Sequence, residues 1–305
     1  MGGYLKDGTW HTSGDWESDD DGHFERQAST FRDTVGDVAP NRYHLYVSYA
    51  CPWACRTLMV RAMKGLEDVI GVSVVHHFMG DDGWAFRPGD DEASTADPIL
   101  GADYLREIYI AADASFTGRV TVPVLWDRQE RTIVNNESSD IIRMLDRDFH
   151  ALATRDVVLY PEVTRDSIDA VTEDIYSPIN NGVYRCGFAT TQKAYDEAFG
   201  ALFDALDRYD DLLGGQPFLC GEQPTLADVC MFTTLVRFDP VYYVHFKCNG
   251  RLIAQYDHLP EYVARVRALP GIESTIHLGH IKRHYYASHE HINPRRIVAK
   301  GPLGS

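Results

Sequence analysis

The sequence predicts an α/β domain followed by an all-helical domain. Strand-like, helix-like and strand-like runs succeed one another over residues 43–47, 52–66 and 69–75, which is the pattern of a βαβ unit. From about residue 154 the apolar residues recur at helical spacing and β-branched runs become few. A chain of 305 residues with 44% hydrophobic residues also has enough apolar material for two cores.

The domain bounds follow from changes in composition and period along the chain. Residues 1–40 are rich in Gly, Asp, Ser and Thr without a steady period, so we expect an extended arm. The α/β domain is predicted over 41–150 and includes a turn-rich insertion over 79–118 with a short helix near 101–111. The helical domain is predicted over 155–290, and a tail follows over 291–305. Its clearest helical segments are 161–179, 190–213, 225–246 and 259–268.

Composition excludes several classes of partner. A net charge of −16 opposes binding to nucleic acid or to an anionic membrane, because both would repel the chain. No run of eighteen apolar residues and no basic-then-apolar leader is present, so we expect a cytoplasmic protein without a membrane span. The six cysteines have no paired zinc spacing, so neither a metal site nor a disulfide framework is predicted. Scarce lysine with abundant aspartate is typical of salt-loving archaea, or of an acidic protein from a GC-rich genome.

Cys51 is the strongest candidate for a catalytic nucleophile. It lies between the strand 43–47 and the predicted helix, and Pro52 follows at the first helical position. The unpaired N–H groups and the dipole of a helix N-terminus favour an anion there, so the thiol is expected to ionise readily. Only a thiolate attacks sulfur or carbon electrophiles. An inert buried cysteine is the alternative.

Two further segments have the character of a binding site for an extended ligand. Proline at 123 interrupts a strand-like run over 120–126, and a cis Val122–Pro123 peptide would leave the Val122 backbone free to pair with a ligand. A second strand over 132–134 completes a hairpin. Glu137 and Ser138 then open a helix through Leu145, and a helix N-terminus is an anion site.

These features together resemble the glutathione transferase architecture, a thioredoxin-like domain followed by a helical domain. Six runs in the expected order resemble, more narrowly, the glutathionyl-hydroquinone reductases of the Xi class. These runs extend from the active-site strand almost to the end of the chain. They are Cys51–Ala54, Thr121–Asp127, Ile133–Ser138, Asn180–Ala189, His245–Asn249 and Ile281–Tyr286. The chain departs from the family at Cys55, where the resemblance leads us to expect histidine.

The resemblance implies an enzyme that reduces a glutathionyl-hydroquinone, a small molecule, with glutathione as cosubstrate. The Cys51 thiolate would take the glutathionyl sulfur from the keto tautomer of the ring, and a second glutathione would release glutathione disulfide. Tyr184 and Tyr285 match the positions of hydroquinone-facing tyrosines. Glutathione would contact the Val122 backbone. By the same resemblance, Glu137 and Ser138 would bind the γ-glutamyl end of glutathione. Trp84 and Arg119 would contact its glycyl side and carboxylate.

Several alternatives remain open at this point. An Omega-like thiol transferase or dehydroascorbate reductase shares the cysteine and proline, and a non-catalytic binding module shares the fold. If the acidic composition reflects a salt-loving archaeon, γ-glutamylcysteine is an alternative to glutathione as the physiological thiol. The resemblance also implies a homodimer. Cys55 lies one helical turn beyond Cys51 and is either a resolving thiol or a packing residue.

Overall fold

The computed structural model describes residues 2–12, 18–91 and 93–302, which divide into two compact units. The first unit comprises Gln27–Asp156 and Ser274–Ile297 together with residues 2–12. The second comprises Val157–Glu273 together with residues 18–26 and 298–302. Residues 274–290, predicted with the helical domain, therefore group with the α/β unit. The domain bounds proposed from the sequence stay a prediction.

The first unit is built on a four-stranded mixed sheet of order β4-β3-β5-β6. Strand β3 (Tyr43–Val47) pairs in parallel with β4 (Gly71–Val74), as a βαβ unit requires. On its other edge β3 pairs antiparallel with β5 (Val124–Asp127), which forms an antiparallel hairpin with β6 (Thr132–Asn135). The predicted βαβ unit and hairpin are both confirmed, and with them the α/β class of this unit.

Two element ends differ from the sequence prediction, each for a local reason. The first strand of the hairpin begins at Val124, not at residue 120, because Pro123 has no N–H to join the ladder. The predicted cis peptide at Val122–Pro123 is present. Helix α1 (Pro52–Met63) ends three residues early, since Gly65 adopts φ +66° and the Leu66 N–H bonds back to the Arg61 carbonyl at 2.9 Å.

Helices α1 and α3 (Ser138–Arg147) lie side by side and run in the same direction. Near their beginnings, Arg56 Nη1 lies 3.5 Å from Ser138 Oγ. Near their ends, Lys64 Nζ lies 3.0 Å from Asp146 Oδ1. Both helix N-termini therefore lie at the same edge of the unit, where the helix dipoles favour an anion.

A small hairpin and two further helices also belong to the first unit. Residues 4–11 form a small hairpin of β1 (Tyr4–Lys6) and β2 (Thr9–His11), where the sequence predicted only an extended arm. Helix α2 (Leu105–Ala112) lies in the insertion, shifted a few residues from its predicted position. Helix α10 (Leu278–Ser288) was not predicted.

The second unit is helical, as predicted. Its helices are α4 (Arg165–Ile175), α5 (Gly182–Gly187), α6 (Gln192–Leu213), α7 (Leu226–Arg237), α8 (Tyr243–His245) and α9 (Leu259–Arg267). The single helix predicted over 225–246 is interrupted by a wider turn at Phe238–Tyr242, because Pro240 removes a backbone donor. Helix α7 is buried along its whole length and begins with a reciprocal cap between Thr225 and Asp228. A threonine followed three residues later by an acid predicts this cap from the sequence.

Across residues 2–12, 18–91 and 93–302, no helix has the length and apolar character needed to cross a membrane.

Candidate active site

Cys51 is the residue from which helix α1 starts. Its backbone is extended (φ −74°, ψ 122°), its side chain makes no capping bond to the helix, and Pro52 occupies the first helical position. The side chain is partly exposed. The sulfur therefore lies at a helix N-terminus without blocking it, as the sequence predicted for this position.

The backbone of Val122 lies next to that sulfur. The Cys51 thiol donates to the Val122 carbonyl with an Sγ to O distance of 3.5 Å. Ionisation of the thiol removes this donor and leaves the carbonyl oxygen with a lone pair to satisfy. A peptide-like N–H from a ligand is a suitable replacement, so sulfur and carbonyl form two adjoining parts of one site.

Tyr109 of helix α2 holds the Val122 segment against the start of helix α3. Its hydroxyl donates to the Thr121 carbonyl at 2.9 Å and accepts from the Thr121 N–H at 3.2 Å. The same oxygen accepts from Asn136 Nδ2 at 3.1 Å. The tyrosine is fully buried, and this burial raises the pKa of its hydroxyl. Sequence reasoning missed Tyr109, because its partners are distant along the chain.

Glu137 and Ser138 form the start of helix α3. Glu137 is the N-cap, and its Oε1 accepts the Ser139 N–H at 3.1 Å. Its other carboxylate oxygen accepts from Ser29 Oγ at 3.0 Å. Ser138 is buried and lies beside Arg56. The carboxylate is thus held in a fixed orientation at the helix edge that also carries Cys51.

Trp84 and Tyr285 are both linked to His284 of helix α10. The Trp84 ring stacks on the His284 ring with centroids 4.9 Å apart and an interplanar angle of 25°. The His284 ring meets Tyr285 edge to face, and its Nδ1 lies 2.8 Å from the His77 carbonyl. Burial lowers the pKa of His284 to about 4, so the ring is neutral near pH 7 and donates this bond. The sequence offered no sign that His284 links the two predicted residues.

Arg119, Tyr184 and Cys55 complete the set of predicted residues. The Arg119 N–H donates to Gln27 Oε1 at 3.2 Å, and its side chain is partly exposed. Tyr184 belongs to the second unit and packs there among aromatic rings, with the Arg26 guanidinium 4.9 Å from its centroid. Cys55 is 1% exposed, and its Sγ lies 3.9 Å from the Thr275 carbonyl, which favours packing over exchange.

Comparison with known proteins assigns the class. Family models for the N-terminal and C-terminal domains of glutathione S-transferases match residues 50–148 and 192–265. A solved structure entitled "Xi Class GST from Natrialba magadii" superposes with a TM-score of 0.95, at 51% identity, covering 99% of this chain and 94% of that one. The glutathione-bound structure of YqjG from Escherichia coli K-12 superposes with a TM-score of 0.89, at 44% identity over 99% and 96% of the two chains.

Curated relatives narrow the assignment. The glutathionyl-hydroquinone reductase PcpF of Sphingobium chlorophenolicum is 48% identical over 98% of this chain and 96% of its own. The glutathionyl-hydroquinone reductase YqjG of Escherichia coli is 45% identical over 98% and 95%. The chain therefore belongs to the glutathione S-transferase family, and within it to the Xi class of glutathionyl-hydroquinone reductases.

Proposed function

We propose that the protein reduces glutathionyl-hydroquinones to free hydroquinones, with glutathione as the electron donor. The observation that carries the proposal is a partly exposed sulfur at the start of helix α1, beside the Val122 carbonyl. It supports a thiolate nucleophile in a chain nearly half identical to two curated reductases. A cytoplasmic, homodimeric enzyme is part of the same proposal.

In the first half-reaction the Cys51 thiolate attacks the sulfur of the glutathionyl group. The S–S bond forms as the bond from sulfur to the ring carbon breaks, and the electron pair passes into the ring. Because the ring enters as its keto tautomer, it regains aromaticity and the charge moves to a phenolic oxygen. That oxygen takes a proton, and the product leaves as the free hydroquinone.

In the second half-reaction a glutathione thiolate attacks the mixed disulfide on Cys51. The products are glutathione disulfide and the Cys51 thiolate, which restores the starting enzyme. Each of the two glutathionyl sulfurs has then supplied one electron. The carbon–sulfur bond of the substrate has been replaced by a carbon–hydrogen bond. The scheme requires ping-pong kinetics, since the hydroquinone leaves before the second glutathione reacts.

The negative charge on the phenolic oxygen calls for hydrogen-bond donors aimed at that oxygen. We assign this role to the hydroxyls of Tyr184 and Tyr285, which lie in runs that match the family. Removing one donor of this kind costs about 10²-fold to 10³-fold in kcat. A Tyr→Phe change at either residue is expected to lower the rate of the first half-reaction and to leave the second unchanged.

Glutathione binding is assigned to the segments around the Cys51 sulfur. The Val122 backbone would pair with the cysteinyl amide, whose N–H takes the place of the thiol hydrogen when Cys51 ionises. Glu137 would accept from the γ-glutamyl ammonium, while Ser138 and the helix N-terminus would receive its carboxylate. Trp84 and Arg119 would contact the glycyl side and its carboxylate. These contacts require the γ-glutamyl group more strictly than the glycine, so γ-glutamylcysteine is also an acceptable thiol.

Mass spectrometry of single-turnover mixtures tests the nucleophile. Wild-type protein exposed to a glutathionyl-hydroquinone without free glutathione should gain one glutathionyl group on Cys51 and release one hydroquinone. Cys51→Ala should gain none, and Cys55→Ser should behave as the wild type. Release of hydroquinone by Cys51→Ala, or an adduct on another cysteine, would refute the mechanism.

A thiol transferase activity is the second candidate. A relative from Schizosaccharomyces pombe, 46% identical over 95% of this chain, is named glutathione S-transferase omega-like 2. Both activities form the same Cys51 mixed disulfide, so the substrate distinguishes them. Turnover of a glutathionyl-hydroquinone should exceed turnover of a small mixed disulfide or of dehydroascorbate, and the reverse order would favour the transferase.

A further inference from the structure

A cluster of metal-ligand side chains in the first unit has no part in the proposed reaction. His76 and His77 follow strand β4, and Asp91 lies in the insertion. His77 Nδ1 is 2.7 Å from Asp91 Oδ2, and His76 Nε2 is 3.7 Å from the same oxygen. The three ligand atoms all lie within 4.8 Å of one another. Two imidazoles therefore face one carboxylate oxygen.

The Asp91 carboxylate is fixed as an anionic ligand. Its side chain is fully buried, and its Oδ1 accepts the backbone N–H groups of Ala93 and Ser94 at 2.9 and 2.5 Å. Hydrogen bonds of this kind orient metal-bound carboxylates and leave the second oxygen for the ion.

His280 of helix α10 gives independent support for a metal-binding cluster. It is 2% exposed, and among the described residues neither of its ring nitrogens has a hydrogen-bond partner. Its ring lies edge to face with that of His77, with centroids 5.8 Å apart, and the charge of Asp91 acts on it. Two imidazoles on one tetrahedral ion have centroids about 5 Å apart, judging from zinc–nitrogen distances. A buried imidazole without a partner is costly unless something takes its lone pair.

We propose that His76, His77 and Asp91 bind one divalent transition cation of the zinc type, and that the buried His280 ring, which lies outside the group of ligand atoms within 4.8 Å of one another, moves toward the ion to complete the site. We name these four side chains the His–Asp cluster: His76, His77, Asp91 and His280. Three imidazoles and one carboxylate suit zinc or cobalt(II) in tetrahedral geometry. Ligand atoms around such an ion lie about 3.4 Å apart, as zinc–ligand distances of about 2.0 to 2.1 Å require. The observed separations of 2.7 and 3.7 Å lie on either side of that value.

A simple ion pair between His77 and Asp91 would explain only half of the cluster. It leaves the buried His280 ring without a role and does not require His76 to face the same oxygen. Binding has one visible cost, since His76 Nδ1 accepts the Phe78 N–H at 3.1 Å. This bond places the proton of the neutral His76 ring on Nε2. When the ion binds Nε2, the proton moves to Nδ1, and the hydrogen bond from the Phe78 N–H to Nδ1 is lost.

The position of the cluster gives the ion a structural role near the candidate active site. The carbonyl of His77 accepts from the His284 ring, which stacks on Trp84. An ion held between the residue 76–91 segment and helix α10 would therefore fix the support of Trp84. We expect the ion to stabilise this part of the fold without taking part in the chemistry.

Cobalt(II) titration of the full-length, untagged protein tests the site. Because the Cys51 thiolate would also bind the ion, all measurements use a Cys51→Ala background after treatment with a chelator. One equivalent of cobalt should produce the intense visible absorption of tetrahedral cobalt(II), and added zinc should displace it. Absence of a saturable band would overturn the proposal.

Substitutions in the His–Asp cluster test which side chains bind the ion. His280→Phe retains the aromatic packing and His77→Gln retains a hydrogen bond to Asp91, and each should weaken cobalt binding at least 10²-fold. The exposed His258→Gln is the matched control and should bind as the parent does. Far-ultraviolet circular dichroism verifies folding, and if His280→Phe does not fold, His77→Gln decides alone. Retention of the tetrahedral spectrum in either folded variant would overturn the assignment.

Discussion

Replacement of Lys64 by methionine should destabilise the first unit strongly and leave the catalytic step almost unchanged. Lys64 is 0% exposed and Asp146 is 3% exposed, and they form an ion pair of 3.0 Å at the far ends of helices α1 and α3. Methionine fills the space of the lysine stem but removes the ammonium group that faces the buried Asp146 carboxylate. Breaking a buried pair in this way costs about 3–5 kcal/mol.

The cost arises from the charge left behind, so a second substitution should remove most of it. Lys64→Met with Asp146→Leu replaces both charges by apolar groups, a change that is often neutral in buried pairs. We therefore expect the double variant to recover at least about 2 kcal/mol relative to the sum of the two single variants. Arg208→Met is the control, because the Arg208–Asp174 pair is more than half exposed on both sides and should contribute less than about 1 kcal/mol.

Urea unfolding of the four variants measures these differences. A loss below about 1 kcal/mol for Lys64→Met, or strict additivity in the double variant, would refute the reasoning. Steady-state kinetics supply a second readout. Twelve helical residues place Lys64 about 18 Å from Cys51 along α1, so kcat/KM of the folded variant should change less than about threefold.

Three further predictions concern acid stability, ligand binding and the end of helix α1. His44 is buried beside Ser73, and burial lowers its pKa to about 4. The contribution of the neutral ring to stability is therefore complete above pH 6.5 and is lost as pH falls toward 4, a loss of about 3 kcal/mol. His44→Asn should flatten this part of the dependence of urea unfolding on pH. Tyr109→Phe should raise the KM for glutathione several-fold more than it lowers kcat, and an unchanged KM would contradict the role of Tyr109. Gly65→Ala should lower the thermal midpoint, since the added carbon would lie 2.0 Å from Thr154 Oγ1 at a φ of +66°.

The sequence was sufficient for features that depend on near neighbours. A strand, a cysteine and a proline in succession predict the start of helix α1, and Thr225 with Asp228 predicts a cap, because the interacting groups lie within a few residues. The hairpin of β5 and β6 was equally local.

Features that depend on distant contacts were not accessible. Helix α10 carries Ile281, Tyr285 and Ser288 at helical spacing, but His280 and His284 on the same helix read as polar although both are buried. Burial of a neutral imidazole depends on what packs around it, and that information lies some two hundred residues away at His77. The role of Tyr109 was hidden in the same way, since its hydroxyl joins two segments that meet only in the folded chain.

The parallel arrangement of helices α1 and α3 explains why a site forms at this edge of the sheet. Each helix begins where a strand of the sheet ends, so each exposes backbone N–H groups at the same edge. One N-terminus carries a thiol and the other a carboxylate followed by a serine, which separates the edge into a part for a sulfur anion and a part for an amino acid group. Turning one helix end over end would place these groups at opposite edges. The direction of α3, held by contacts near both of its ends, is therefore as necessary to the proposed chemistry as the cysteine itself.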